Sequence, residues 1–139
     1  MRSGSIDIFP MLIGTAPFGV IFGAFSYDLG INIAGVQALS AFVFAGSAQF
    51  VGVSLYGQDA SLLVIALTTF FINLRHVLYG VSLSVKFKKL KRRKLFFMAF
   101  FLTDETYAVV SRYRFIAPRY FWGAALAMYL NWQLWTFFG

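Results

Sequence analysis

The stretch that decides the fold is Thr68–Ser84, TTFFINLRHVLYGVSLS, because it places charge inside a long apolar run. Asn73, Arg75 and His76 fall within one turn of helix there, and His76 is the single histidine of the chain. A charged side chain near the centre of a bilayer costs between about 2.5 and more than about 10 kcal/mol. If this stretch spans a membrane, the sequence must also supply a partner charge, a wet cavity or a substrate path.

The composition is that of a membrane protein. Of the 139 residues, 60% are hydrophobic and 12% are charged, and that charged share is about half of what a soluble domain carries. The apolar segments are long and continuous, unlike the short alternating strands of a membrane barrel. We therefore predict an all-α fold, a polytopic integral membrane helix bundle with about five hydrophobic segments, some of them discontinuous. Residues 1–139 are predicted to form a single transmembrane domain.

Seven of the twelve basic residues lie in the run Lys86–Lys94, between two apolar segments. Such a run is typical of a cytoplasmic loop that faces anionic lipid, and it does not indicate nucleic-acid binding. If every segment crosses the membrane, a cytoplasmic position for this loop places the N-terminus outside. It also places the basic residues of 112–119 outside, against the positive-inside rule. Either the segment 95–111 is too short, and broken at Asp104 and Glu105, to cross fully, or the bias of seven charges prevails and three basic residues outside are tolerated; we favour the second. The sequence alone leaves the orientation of the N-terminus open.

The predicted spans cover about residues 8–27, 33–55, 60–85, 95–111 and 120–138. Pro17 is expected to interrupt the first of them, since proline lacks an N–H and crowds the preceding turn. The segment is then either a kinked packing helix or a broken helix that lines a binding site. Gly19 and Gly23 lie one turn apart, so another helix can approach closely there. Trp132 and Trp135 lie toward the end of the last span, as in an interfacial aromatic belt.

The middle of the second span, Phe44–Phe50, reads FAGSAQF. Gly46, Ser47 and Gln49 suit either close helix packing or contact with a substrate at a break in the helix. Gln49 is expected to hydrogen-bond inward, because an unpaired amide in hydrocarbon costs several kcal/mol.

Two adjacent carboxylates, Asp104 and Glu105, occupy the centre of the fourth segment. They are the natural partners of Arg75 and His76. At about 1.5 Å per residue, Arg75 lies about 15 Å below the basic loop, near the middle of a hydrocarbon core about 30 Å thick. The alternative is that Arg75 extends to the interface. A buried acid near a histidine is typical of proton coupling, and the alternative is a static salt bridge.

Four motifs together resemble the AzlC family: PFG at 17–19, FAGSAQF at 44–50, NLRHVLYG at 73–80 and LTDET at 102–106. The resemblance covers roughly residues 8–138. It implies a multi-pass protein of the bacterial inner membrane that exports branched-chain amino acids with a small AzlD-like membrane subunit. Members of the family are longer, so we expect this chain to be a C-terminally shortened part of an AzlC-like domain.

The expected function is that of a subunit of a secondary transporter for valine-like substrates, coupled to protons. The candidate substrate-binding residues are Pro17, Gly46, Ser47, Gln49, Asn73 and Arg75, and the candidate proton-coupling residues are His76, Asp104 and Glu105. The alternative is a non-transporting assembly subunit, or an inactive fragment, whose buried charges are structural. An enzyme is not expected, because adjacent carboxylates point about 100° apart on a helix and no metal, cofactor or nucleophile motif is present.

Overall fold

The computed structural model describes residues 3–87 and 90–139, apart from the side chain of Arg92. Regular structure within these residues is helical, which confirms the predicted all-α fold. The helices are α1 (Gly4–Asp7), α2 (Phe9–Asp28), α3 (Ile33–Val43), α4 (Gly46–Tyr56), α5 (Leu62–Ser84, continued by a 3-10 turn at Val85–Phe87), α6 (Arg92–Phe100), α7 (Asp104–Val110) and α8 (Pro118–Phe138). Lys88 and Lys89, two residues of the loop predicted to face anionic lipid, lie outside the described residues.

Two of the described helices are long and apolar enough to cross a membrane, Phe9–Asp28 and Leu62–Phe87. The first continues without a break through Pro17, which agrees with the packing-helix alternative and contradicts the broken helix. A proline in mid-helix removes one backbone hydrogen bond and kinks the axis, and the exposed ring of Pro17 is accommodated at the helix surface.

The segment predicted as the second span, 33–55, enters and returns instead of crossing. Its two helices, α3 and α4, have 11 residues each, or about 16 Å of length, roughly half of a hydrocarbon core. Phe44 adopts a left-handed backbone (φ 39°, ψ 48°) and reverses the chain between them. At the far end, a Cβ added to Gly57 would come within 2.6 Å of the Leu29 side chain. We call α3 and α4 with the break at Phe44–Ala45 the first hairpin.

The segment predicted as the fourth span, 95–111, is also divided. Helix α6 ends at Phe100 and α7 begins at Asp104. The Lys86 ammonium donates hydrogen bonds to the carbonyls of Ser111 and Tyr113, so the chain after α7 lies beside the residues that precede α6. We call α6 and α7 with the break between them the second hairpin. Since the second hairpin returns to its starting end, the structure favours the alternative that 95–111 does not cross fully over the one that places 112–119 opposite the basic loop.

The chain divides into two compact units. Unit A comprises Gly14–Leu74 with Asn131–Gly139, and it holds the first hairpin. Unit B comprises the chain up to Ile13 with Arg75–Leu130, and it holds the second hairpin. The unit boundaries fall inside α2, α5 and α8.

In unit A, α2 packs tightly on the end of α8. A Cβ at Gly19 would come within 2.7 Å of Trp135 Cβ, and one at Gly23 within 2.4 Å of the Thr136 carbonyl oxygen. This close approach confirms the prediction made from the two glycines. Trp132 is 5% exposed and stacks on Phe22 with ring centroids 6.2 Å apart, so it belongs to the core and the predicted interfacial position is wrong.

Polar side chains join α3 to α8 within unit A. The Gln37 amide donates to Gln133 Oε1 at 2.7 Å, and the Gln133 amide donates to the Ser40 carbonyl at 3.0 Å. The buried Ser40 hydroxyl in turn donates to the Thr136 hydroxyl at 3.2 Å. Interhelical bonds of this kind contribute about 0.6 kcal/mol each in membrane proteins, and together they fix the first hairpin against α8.

In unit B, apolar side chains from α5, α7 and α8 form the core. Phe87 meets Phe121 edge to face, and Val109 and Val110 are fully buried. The N-terminal residues pack at one end of this core, where the Asp7 carboxylate accepts hydrogen bonds from the hydroxyls of Tyr113 (2.9 Å) and Tyr120 (2.7 Å).

Candidate functional site

The centre of the candidate site is an ion pair in unit B. Arg75 Nη1 lies 2.6 Å from Asp104 Oδ2. Asp104 is the first residue of α7, where the Thr103 side chain caps the helix by accepting from the Thr106 N–H. A carboxylate in the first turn of a helix is stabilised by the helix dipole. The second hairpin therefore breaks where it can present Asp104 to α5.

The ion pair is not enclosed by unit B. The side chains of Arg75 and Asp104 are 30% and 41% exposed. Charges with that exposure cannot face hydrocarbon without a large cost, so the exposed side of the pair must meet water, substrate or another part of the assembly.

Aromatic and hydroxyl groups extend the site along α5. The rings of Tyr79 and Tyr107 stack with centroids 4.4 Å apart, and the Tyr79 hydroxyl lies beside the Asp104 carboxylate. The imidazole of His76 lies 6.0 Å from the Tyr79 ring, within electrostatic reach of Asp104. Farther along, the hydroxyls of Ser82 and Tyr107 are hydrogen-bonded at 3.0 Å.

The structure distinguishes the two adjacent carboxylates. Asp104 pairs with Arg75, whereas the half-buried Glu105 is not part of that pair. Neighbouring residues on a helix point about 100° apart, so one of the two can face α5 closely. Which of them carries a proton stays a prediction.

The candidate residues divide between the two units. Unit B brings together Arg75, His76 and Asp104, with Glu105 next to them in the chain. Unit A holds the other five, which are Pro17, Gly46, Ser47, Gln49 and Asn73. Asn73 is half-buried, and its side-chain amide oxygen Oδ1 has no hydrogen-bond partner among the described residues.

Unit A contains a cavity of about 470 Å³ beside the first hairpin. Its walls are largely aliphatic, with Leu39 and Val43 from α3, Val53 from α4 and Ile65 from α5. Gln49 lines the cavity and is only 3% exposed. A volume of this size lies within the range of about 300–1,000 Å³ that is usual for small-molecule sites.

The expectation that Gln49 hydrogen-bonds inward is wrong for the residues that the structure describes. Neither Oε1 nor Nε2 of its amide has a partner there. A buried polar group without a partner costs about 1–3 kcal/mol, so this amide is available to a ligand that enters the cavity.

Sequence reasoning missed Tyr107 and the Gln37–Gln133 contact. Tyr107 follows Asp104 by three residues, a spacing that places both on one face of α7, and this spacing was the available signal. The pairing of Gln37 with Gln133 joins residues 96 positions apart, and no local pattern indicates it.

Comparison with known proteins identifies the family. The AzlC protein family matches residues 10–139. The chain belongs to the AzlC family. No solved structure matches this AzlC-family chain.

Relatives of this AzlC-family chain are membrane proteins. It is 37% identical over 108 residues to an uncharacterized membrane protein of Archaeoglobus fulgidus, covering 78% of this chain and 47% of that protein. It is 31% identical to the inner membrane protein YgaZ of Escherichia coli, with 98% and 58% covered. It is 27% identical to the branched-chain amino acid transport protein AzlC of Bacillus subtilis, with 78% and 42% covered.

The chain spans about half the length of the curated relatives that it matches. The predicted membrane location and the predicted AzlC membership are confirmed. AzlC is a transport-related family, and the relative from Bacillus subtilis is named as a branched-chain amino acid transport protein.

Proposed function

We propose that this chain is a subunit of a secondary transporter that exports branched-chain amino acids from the bacterial cell through the inner membrane. The Bacillus subtilis relative is named as a branched-chain amino acid transport protein. The observation that carries the proposal is the Arg75–Asp104 ion pair, which α5 holds within a segment long enough to cross a membrane. A charge pair at that depth is expensive unless it serves a path for substrate or ions.

The residue roles follow from chemistry. Asn73 helps to orient the substrate, and Arg75 neutralises negative charge on its path. The amide of Gln49, with Gly46, Ser47 and the backbone near Pro17, receives its polar groups. His76 and Asp104, or Glu105 in place of Asp104, exchange the coupling proton. We further infer that a small AzlD-like membrane subunit completes the transporter, that anionic lipid contacts Lys86–Lys94, and that the chain is not an enzyme.

The test is efflux of radiolabelled valine from vesicles that contain the chain and its small partner subunit, under an imposed pH gradient. We expect Asp104→Asn and Arg75→Gln each to lower the efflux rate by about tenfold or more, because each leaves a charge without its partner in a poorly solvated site. The matched control is Asp59→Asn, which removes an exposed carboxylate in the α4–α5 turn at a left-handed position that asparagine tolerates. Wild-type efflux in both test variants would refute the assignment.

The alternative role, a purely structural ion pair, is separated by exchanging the charges. If the pair only holds α7 to α5, the double variant Arg75→Asp with Asp104→Arg restores the stability and the efflux that each single variant loses. If the pair handles substrate or protons, the double variant folds but does not recover efflux. Expression level and detergent stability are measured beside efflux, so that loss of fold is not mistaken for loss of transport.

A further inference from the structure

The two hairpins and the helices that precede them follow the same order of elements, offset by about 57 positions. Val20, Gly23, Phe44, Ser54 and Tyr56 each recur as the same residue 57 positions later, as Phe44 does at Phe101. The same shift carries the break of the first hairpin onto the break of the second, and it carries the start of α4 onto the start of α7 to within one residue.

Side-chain geometry inside each unit follows the same correspondence. In unit A, Phe22 of α2 meets Phe50 of α4 with ring centroids 5.5 Å apart. In unit B, the positions 57 residues later are Tyr79 and Tyr107, whose centroids are 4.4 Å apart. A membrane helix followed by a hairpin therefore occurs twice, with an aromatic pair between helix and hairpin that is edge-to-face in unit A and stacked in unit B.

The tip of the second hairpin supplies its own polar partners. Thr103 caps α7, and Asp104 places a carboxylate at the positive end of that helix. The buried Thr106 hydroxyl accepts from the Thr103 hydroxyl at 3.3 Å.

The tip of the first hairpin has other residue types at these positions. The residue that precedes α4 is Ala45, so no side chain caps the helix. The position that corresponds to Asp104 is Ser47, and the position that corresponds to Thr106 is Gln49. The Gln49 amide is 97% buried, lines the aliphatic cavity, and has no partner among the described residues.

We propose that the start of α4, with the Gln49 amide and the adjoining cavity, binds the carboxylate of a small aliphatic amino acid, in the position that Asp104 fills in the second hairpin. The Gln49 NH₂ group donates to the carboxylate, the positive end of α4 stabilises its charge, and the cavity wall at Leu39, Val43 and Val53 receives the branched side chain. The class of substrate rests on the proposed function.

Occupancy of the site is measured through an introduced cysteine. The chain contains no cysteine of its own, so the introduced thiol is the single site of alkylation. Val43→Cys places a thiol in the cavity wall, and Phe42→Cys places one on the neighbouring residue, which is 80% exposed and outside the cavity lining. In membranes that contain each variant, the rate of alkylation by N-ethylmaleimide is measured with L-leucine, with 4-methylpentanoate, which lacks the amine, and with 3-methylbutylamine, which lacks the carboxylate. At ten times the dissociation constant, leucine and 4-methylpentanoate are expected to slow alkylation of Val43→Cys about tenfold. The amine is expected not to protect, and Phe42→Cys is expected to react equally fast throughout.

Three further substitutions, each in the Val43→Cys background, test the carboxylate itself. Ser47→Asp copies the second hairpin and is expected to raise the half-protecting leucine concentration about tenfold or more, through repulsion between carboxylates. Ser47→Asn has the same size without the charge and is expected to change it less than about threefold. Gln49→Met removes the amide without removing bulk, so it is expected to keep the fold and weaken protection.

The proposal is overturned if Ser47→Asp and Ser47→Asn act alike, if the amine protects as well as the carboxylate, or if leucine fails to protect while Val43→Cys still exports valine. Protection of Val43→Cys by leucine, with no valine export by the unsubstituted chain, supports the site and refutes the proposed transport function, so the two failures are distinguishable.

Discussion

The first and second hairpins follow a similar course, but only the second carries a charged side chain at its tip. Both leave a membrane helix, turn back after a short break and return to the end from which they started. The second hairpin carries Asp104 at its tip and meets Arg75, whereas the first carries Ser47 and meets no charge at the corresponding Phe18. The same order of elements thus carries an ion pair in the second hairpin, and an aliphatic cavity with an unpartnered amide in the first. Under the proposed function, charge handling falls to unit B and substrate recognition to unit A.

The return of both hairpins predicts the side of the membrane on which each of four loops lies, and each loop should be labelled from that side alone. Because α5 crosses the membrane and each hairpin returns, the loops at Asp28 and Asp59 share one face, and those at Lys91 and Arg114 share the other. Single cysteines at these four positions are labelled with a membrane-impermeant maleimide in intact cells and in everted vesicles. The basic residues place Lys91 and Arg114 in the cytoplasm, so we expect them to react only in everted vesicles, and the other two only in cells.

This labelling experiment can contradict the return of either hairpin. If the cysteine at Arg114 reacts from the same side as the one at Asp59, the second hairpin crosses the membrane. If the cysteines at Asp28 and Asp59 react from opposite sides, the first hairpin crosses. The expected result resolves the conflict in the positive-inside rule, since 112–119 then lies on the cytoplasmic side with the basic loop.

The class of the protein and its central ion pair were predictable from the sequence. Low charge with long apolar runs indicates membrane helices, and a charge in such a helix requires a partner, which left Asp104 and Glu105 as the candidates for Arg75. The return of the second hairpin was one of two alternatives that the sequence left open, whereas the return of the first hairpin was not predictable in this way. Two 11-residue apolar helices joined by two residues have the same length and hydropathy as one spanning helix, and only the backbone at Phe44 distinguishes them.

Individual roles were harder to predict where a residue type suits two environments. Trp132 is amphipathic, and a tryptophan near the end of a span usually marks an interface, but here its ring covers Gly46 and stacks on Phe22. Gln49 was expected to find a protein partner because buried amides usually do. Its unsatisfied state depends on the volume left between α3, α4 and α5, which no local pattern encodes.

A matched pair of glycines provides the next largest effect. Gly23 and Gly80 occupy corresponding positions, but a Cβ at Gly23 would meet the Thr136 carbonyl at 2.4 Å, whereas one at Gly80 would meet nothing within 4 Å. We expect Gly23→Ala to destabilise the protein by about 1–3 kcal/mol through overpacking against backbone. We expect Gly80→Ala to be neutral or to stabilise by up to about 1 kcal/mol through helix propensity.

Apparent Tm in detergent is the measurement for the glycine pair, with each alanine variant compared with the parent chain in the same preparation. A fall for Gly23→Ala with no fall for Gly80→Ala supports unequal packing of two otherwise equivalent helices. Equal falls would mean that another surface covers Gly80 in the assembled protein, and the contrast between the two copies would then be lost at this position.

The smallest expected effect comes from converting the second aromatic contact into the first. Tyr79→Phe and Tyr107→Phe each keep the aromatic pair and remove one hydroxyl. The two substitutions together give a pair of phenylalanines, as Phe22 and Phe50 form in unit A. The loss of stability is expected to stay near about 0.5 kcal/mol, the low end for a hydrogen bond at an exposed site. The Tyr79 hydroxyl lies beside Asp104, whereas that of Tyr107 bonds Ser82, so Tyr79→Phe should lower valine efflux by a few-fold and Tyr107→Phe by less. If Tyr107→Phe has the larger effect, the polar function runs along the Ser82 side of α5, and the Asp104 carboxylate is not its centre.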